Sequence, residues 1–251
     1  MTTELIAHRG NSSEGPENTL AAFRAALDSG AEGVEFDVQL SRDGVPVVIH
    51  DENLERTTSG RGQVSERTLE ELRRLDAGAW FAPEHADARI PTLEEVLRLF
   101  RDSAMTIYIE LKTGELPYPG LVETTVKMVR MLELTQRVQF SSFNHHTLLQ
   151  AARLAPDIPR APLFYAHLIE PWRYAQAHGF QAVHVERHAC TPDLVGGCRA
   201  AGLPLRAYTV NTEADFRALA AMGVDAVFTD RPRRLAKLRR TEYLERLTKP
   251  R

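Results

Sequence analysis

Seven residues in the first half of the chain could do chemistry together: His8 and Arg9, Glu35 and Asp37, His50, and Glu110 and Lys112. Glu35 and Asp37 stand two apart within the apolar run Gly33–Leu40, so on a strand both side chains leave one face while Val34, Phe36 and Val38 leave the other. Glu110 and Lys112 repeat that spacing in the run 106–112. An unpaired buried carboxylate is costly, and three clustered carboxylates need a cation to offset their repulsion. All-oxygen ligation by Glu35, Asp37 and Glu110 suits one hard divalent ion, Mg²⁺ or Ca²⁺, with Mn²⁺ also compatible. Zinc would more often recruit His or Cys. His8 and His50 are then free for acid–base work. Arg9 and Lys112 add fixed positive charge suited to a phosphate. Together the seven read as metal-assisted cleavage of a phosphoester.

The elements that must position them follow a strand–helix alternation. Strands precede helices near residues 6, 36, 109, 140, 164, 184, 208 and 227, the eight that a closed (β/α)8 barrel requires. An additional strand over 45–50 follows Asp43-Gly44, a strong hairpin signal. With Asp43 and Gly44 as a two-residue turn, His50 lies directly opposite Asp37, Cβ atoms roughly 4.5–5.5 Å apart. In such barrels the working residues sit at the C-terminal ends of strands and in the loops beyond. The expected architecture is therefore an α/β TIM barrel, a single catalytic domain over 1–251. A small insertion over 52–90 follows the second-strand hairpin and is too short and polar to build a core of its own. Asn18 or Thr19 is read as the cap of the first helix. Thr68 with Glu71, and Thr92 with Glu95, form capping boxes.

The composition narrows the class. The chain has 251 residues, 43% hydrophobic and 26% charged, enough for one large core. A formal charge of −3 gives no bias toward nucleic acid. No apolar stretch approaches a membrane span, so no stable membrane insertion is expected. Met1-Thr2-Thr3 runs straight into a strand, leaving no room for a signal peptide, which points to a cytoplasmic protein. Cys190 and Cys198 are too few for a disulfide framework and are read as reduced thiols.

The motifs, taken in order, resemble the glycerophosphodiester phosphodiesterase family of the bacterial, cytoplasmic type. They are His8-Arg9-Gly10, Pro16-Glu17-Asn18-Thr19, Glu35-x-Asp37, His50-Asp51 and Glu110-x-Lys112. Ser141-Ser142-Phe143, Tyr208-Thr209-Val210-Asn211, Gly223-Val224-Asp225 and Thr229-Asp230-x-Pro232 extend the set. The resemblance implies a TIM barrel with a small insertion after the His-Asp motif. It implies a small-molecule substrate, glycerol-3-phosphate esterified to an alcohol such as choline or ethanolamine, and a monomer or homodimer. It assigns Glu35, Asp37 and Glu110 to the ion, His8 and His50 to acid–base catalysis, and Arg9 and Lys112 to the phosphate. Glu17, Phe143 and Tyr208 fall to the substrate pocket; Tyr208 stands where the family usually has Trp and keeps an aromatic wall. Two other readings use the same residues. One is a lysophospholipase-D-like enzyme, favoured by a wide apolar mouth near the insertion. The other is a barrel that binds phosphodiesters without turnover, which would need the loss of a catalytic group; none of the seven is missing.

Some residues outside this set have plainer readings. Glu17 is a rim carboxylate for Arg9. His184 and Glu186 could line the mouth or pair with each other. His145-His146 faces solvent, Trp80 and Phe81 of the insertion cover the site, wall the alcohol pocket or simply pack, and the basic run 231–240 is the solvated face of the last helix.

Overall fold

A computed structural model describes residues 3–248; Met1 and Thr2, on which the expectation about a signal peptide rests, lie outside them. Eight parallel strands close a barrel: β1 Glu4–His8, β2 Gly33–Leu40, β4 Thr106–Leu111, β5 Val138–Ser142, β6 Arg160–Phe164, β7 Val183–Glu186, β8 Leu205–Tyr208 and β9 Ala226–Thr229. β1 pairs with both β2 and β9, which shuts the ring. This is the TIM barrel that the alternation predicts. The antiparallel β3, Pro46–Val48, hangs on β2.

Helices cover the outside because the outward strand residues need burial. Val34, Phe36 and Val38 are buried beneath α1, Leu20–Leu27, and α3, Leu93–Phe100. Phe23 of α1 meets Phe36 and Phe100 edge-on at 5.6 and 5.9 Å between ring centroids, a favoured aromatic geometry. Between these helices, α2 is a short helix, Leu69–Arg73, in the insertion. The Thr68–Glu71 and Thr92–Glu95 capping boxes both form. The first helix takes the second of its two candidate caps. Thr19 caps it, accepting from the Ala22 N–H, and Asn18 takes a left-handed φ of 56° that frees its side chain for other use. The later helices are α4 Leu121–Met131, α5 His145–Leu154, α6 Pro171–Ala177, α7 Pro192–Ala200, α8 Glu213–Met222 and α9 Pro232–Thr248.

The hairpin register differs from expectation by one residue. Val38 faces Val48 and Gln39 faces Val47, and the Ile49 N–H donates to the Asp37 carbonyl at 3.1 Å. Ile49, not His50, therefore stands opposite Asp37. The loop has three residues rather than two: Ser41 N–H donates to Val45 O, and Gly44 closes it at φ 78°, the left-handed residue that three-residue hairpin loops require. Asp43 sits in the middle of this loop, its carboxylate accepting from the Ser41 hydroxyl and from the Leu69 N–H of the insertion. His50 reaches the site by another device. The buried Gln39 amide donates to the carbonyls of Ile49, His50 and Asp51 at 2.9–3.0 Å, and Tyr118 donates to Gln39 Oε1 at 2.6 Å. One side chain clamps three successive carbonyls as the chain leaves the strand.

The insertion does hold a small core. Leu54, Val64, Leu72, Ala77 and Ile90 are buried together with Val47 and Ile49 of the hairpin. It is built by borrowing two residues from the barrel's own excursion. Among the described residues no helix is long and apolar enough to cross a membrane. Cys190 and Cys198 are free and buried. Arg233, Arg234 and Arg239 of the basic run pair with Glu14, Glu213 and Glu32.

Candidate active site

Register brings the acids together. In the β2–β4 pair Asp37 lies beside Glu110, and in the β1–β2 pair His8 lies beside Glu35. One carboxylate oxygen from each of Glu35, Asp37 and Glu110 lies within 4.8 Å of the others. Their side chains are only 6%, 1% and 12% exposed. Burial, then the charge of Asp37, pushes the Glu110 carboxyl up to about 7, and the same forces with Glu110 added raise Glu35 well above the carboxylate range. For Asp37, burial also works against ionisation. The charges of His50, Arg9 and Lys112, with the Asn18 amide, outweigh it and hold the carboxyl low. Two of three clustered acids thus resist ionising without further positive charge. A hard divalent cation supplies that charge, so the donor set fits one.

Arg9 and Lys112 flank the cluster. The chain turns sharply after β1, with Arg9 at φ 55°, and its N–H donates to Glu35 Oε2 at 3.1 Å. The Arg9 Nη1 donates to Glu17 at 2.8 Å, and its buried Nε lies 3.5 Å from Asp37 Oδ2, an ion pair without a hydrogen bond. Lys112 Nζ lies 3.3 Å from Glu110 and 3.4 Å from His50 Nε2. The Asn18 amide, free of capping, donates to Asp37 Oδ2 at 2.9 Å.

Each catalytic-type imidazole is backed by a carboxylate. His8 Nδ1 lies 2.7 Å from Asp230 Oδ1, and His50 Nδ1 lies 2.6 Å from Asp51 Oδ1. A carboxylate on Nδ1 fixes the tautomer and leaves Nε2 as the working atom. Burial works to raise Asp230, but the hydrogen bonds from His8, Asn211 and Ser12 hold it at about 2. Burial is likewise outweighed at Asp51, held at about 2 by Arg56 and His50. Arg56 was not legible as a site residue. Asp51 and Asp230 sit inside quoted motifs, yet nothing in their spacing showed which histidine each supports.

Glu35, Glu110, His8, His50 and Arg9 line one side of a cavity of about 220 Å³, and Phe143, Tyr165 and Tyr208 line the other, while Asp37, Lys112 and Glu17 stand behind this lining. Phe143 and Tyr165 stack at 4.6 Å, and Tyr208 meets Phe143 edge-on at 6.1 Å while its hydroxyl donates to Phe164 O at 2.8 Å. Tyr165 is a wall residue that sequence reasoning missed. Glu17 sits between Arg9 and Arg56. His184 and Glu186 line the cavity but do not pair. His184 is buried with Nε2 3.3 Å from Arg206, and Glu186 accepts from the His188 N–H and from Arg187. His145 does not face solvent; it bonds the Tyr174 hydroxyl and packs against Phe164, whereas His146 is exposed. Trp80 and Phe81 pack edge-on within the insertion and are absent from the cavity wall.

Comparison with known proteins agrees with this geometry. Residues 8–234 match the profile described as the Glycerophosphoryl diester phosphodiesterase family. A glycerophosphodiester phosphodiesterase from Caldanaerobacter subterraneus is 42% identical over 238 residues, 95% of this chain and 98% of that protein. One from Bacillus altitudinis is 40% identical over 240 residues, 94% and 98% of the two chains. Among solved structures, an Oleispira antarctica phosphodiesterase in complex with the product sn-glycerol-3-phosphate superposes with a TM-score of 0.85 at 36% identity, over 94% of this chain and 96% of that one.

Proposed function

The chain belongs to the glycerophosphoryl diester phosphodiesterase family, and from that premise we propose that it hydrolyses glycerophosphodiesters to glycerol-3-phosphate and an alcohol, using a divalent cation held by Glu35, Asp37 and Glu110. One observation carries the proposal: three acid oxygens lie within 4.8 Å of one another, two of the three acids lining a cavity whose wall also carries two carboxylate-backed imidazoles.

When bound, the ion offsets the phosphate charge and polarises its oxygens. Arg9 and Lys112 hold the phosphate by charge and N–H donation. The Nε2 of one imidazole takes the proton of the attacking oxygen, and the Nε2–H of the other protonates the departing alkoxide. Asp51 and Asp230 keep both rings oriented by accepting Nδ1–H. The attacker is the substrate's neighbouring glycerol hydroxyl, leaving a cyclic phosphate that water then opens, or water directly. Rapid-quench phosphorus NMR separates the two routes by the presence or absence of the cyclic species. The activity itself is tested by glycerol-3-phosphate release from glycerophosphocholine in Mg²⁺, Ca²⁺ or Mn²⁺; no release in any of the three overturns the proposal.

A second reading, cleavage of lysophospholipids, is favoured by one feature. The segment after β6 exposes Tyr165, Leu168 and Ile169, Ile169 to 94%, and Tyr165 borders the cavity. This apolar rim lies on β6–α6 rather than near the insertion, the place where a wide apolar mouth would favour the reading. Turnover of lysophosphatidylcholine that falls in Ile169→Asp while glycerophosphocholine turnover holds supports this reading; no turnover of the lysolipid removes it.

A further inference from the structure

We propose that Arg56 is a positioning residue that braces both working halves of the site, Arg9 through Glu17 and His50 through Asp51, and that the small core of the insertion holds it in place. The proposal rests on the roles given above to Arg9 and His50.

The geometry is a junction. Arg56 Nη1 and Nη2 donate to the two oxygens of Glu17, each at 2.8 Å. On its other side Nε and Nη2 donate to the two oxygens of Asp51 at 2.6 and 2.9 Å. One planar guanidinium therefore grips two carboxylates through two-oxygen contacts, a match that a lysine ammonium cannot make. Beyond Glu17 lies Arg9 at 2.8 Å, and beyond Asp51 lies His50 at 2.6 Å. The chain of contacts runs from the phosphate-binding cation to the proton-transferring ring without a gap.

Arg56 itself does not line the cavity, so it acts only through its partners. Its side chain is 45% exposed, and ion pairs so open to water contribute little to global stability. What it contributes is orientation. Glu17 without Arg56 would have Arg9 as its one cation and would draw that guanidinium away from a phosphate. Asp51 without it would lose the two contacts that fix its plane, and the His50 ring would turn with it. The turn that carries Arg56 is anchored by Leu54, which is fully buried in the insertion core, and by Thr58, whose N–H and hydroxyl both donate to Leu54 O. The insertion's hydrophobic cluster thus sets the height at which the fork meets the barrel rim.

The test is a set of variants on the full chain: R56M, R56K, E17Q, D51N and E17Q/D51N. Each is assayed for kcat on glycerophosphocholine and for inhibition by glycerol-3-phosphate, with a melting curve. Arg56→Met should lower kcat and weaken glycerol-3-phosphate binding, each by about tenfold, as misplacement of reacting groups does, with the melting midpoint nearly unchanged. Glu17→Gln should move mainly the binding term and Asp51→Asn mainly kcat. Arg56→Lys should remain impaired, and adding R56M to E17Q/D51N should cost less than twofold more. Both parameters of R56M within twofold of wild type, or an undiminished R56M effect on the E17Q/D51N background, overturns the proposal. His50→Ala run alongside separates the two failures. If it is inactive while R56M is normal, only the brace falls; if it is fully active, the catalytic reading falls.

Discussion

The two imidazoles of the site receive the same support from opposite parts of the fold. The carboxylate behind His8 is Asp230, 222 residues away, delivered beside it because β1 and β9 close the barrel side by side. The carboxylate behind His50 is the next residue, and what steadies it is Arg56 of the insertion. Asp230 is fixed by neutral donors, the Ser12 hydroxyl and the Asn211 amide at 3.1 and 2.5 Å. Asp51 is fixed by a guanidinium. One half of the proposed chemistry is a by-product of barrel closure, and the other is an excursion with its own small core. Damage to the insertion should therefore reach His50 and spare His8, whereas damage to the closing strands should reach His8 together with the fold.

The largest effects test whether both halves are needed. His8→Ala and His50→Ala should each lower kcat by roughly 10²–10⁴, the worth of one positioned proton transfer, as measured by glycerol-3-phosphate release. A near-normal rate in either variant removes that ring from the mechanism. Next come the supports. Asp230→Asn and Asp51→Asn should each cost roughly 10–100-fold, the usual range for groups that orient a functional histidine or ligand. Calorimetry should divide them: D230N lowers the melting midpoint because the amide keeps only one of the two acceptor oxygens, leaving either Asn211 or the Ser12–His8 pair facing an NH₂ at the closure, and D51N leaves it almost unmoved. Equal midpoints would erase the contrast between the two halves.

The smallest effect is in pH, and its windows also separate. Asp51 and Asp230 titrate in the fold at about 2, below their usual 3.8. Their stabilisation is present above that usual value and is lost as pH falls from about 3.8 to about 2. Glu110 runs the other way. Its carboxyl is raised from 4.5 to about 7, so the folded metal-free chain binds the extra proton between those values. Its stability should fall as pH rises through that window. A cation that binds the ionised acids should cancel the fall. Melting curves at pH 5 and 7.5, with chelator and with Mg²⁺, read this directly; a chelated protein equally stable at both would count against clustered buried acids.

How much could be read beforehand divides along physical lines. The eight strands and the acid cluster were legible because strand periodicity fixes which side chains share a face. Arg9, Glu35, Asp37, Glu110 and Lys112 needed only that rule and the barrel's polarity. The hairpin register was not legible, since loop length depends on Gly44 adopting positive φ and on Leu69 holding Asp43 from another segment. Asn18 looked like a cap because its type suits one, yet its left-handed backbone turns its amide to Asp37. The insertion core was underrated because its apolar residues are dispersed and complete themselves with Val47 and Ile49. Arg56 lay in a polar, turn-like stretch with no periodicity to give it a direction.

The central claim is that Glu35, Asp37 and Glu110 hold a cation on which diester cleavage depends. The most direct measurement is glycerophosphocholine turnover by chelator-stripped protein, verified metal-free, as Mg²⁺, Ca²⁺ or Mn²⁺ is added back to wild type and to Asp37→Asn. The account predicts no turnover without ion, saturable recovery in wild type, and recovery in the variant only at far higher ion concentration. Full turnover by the stripped wild-type protein would contradict it.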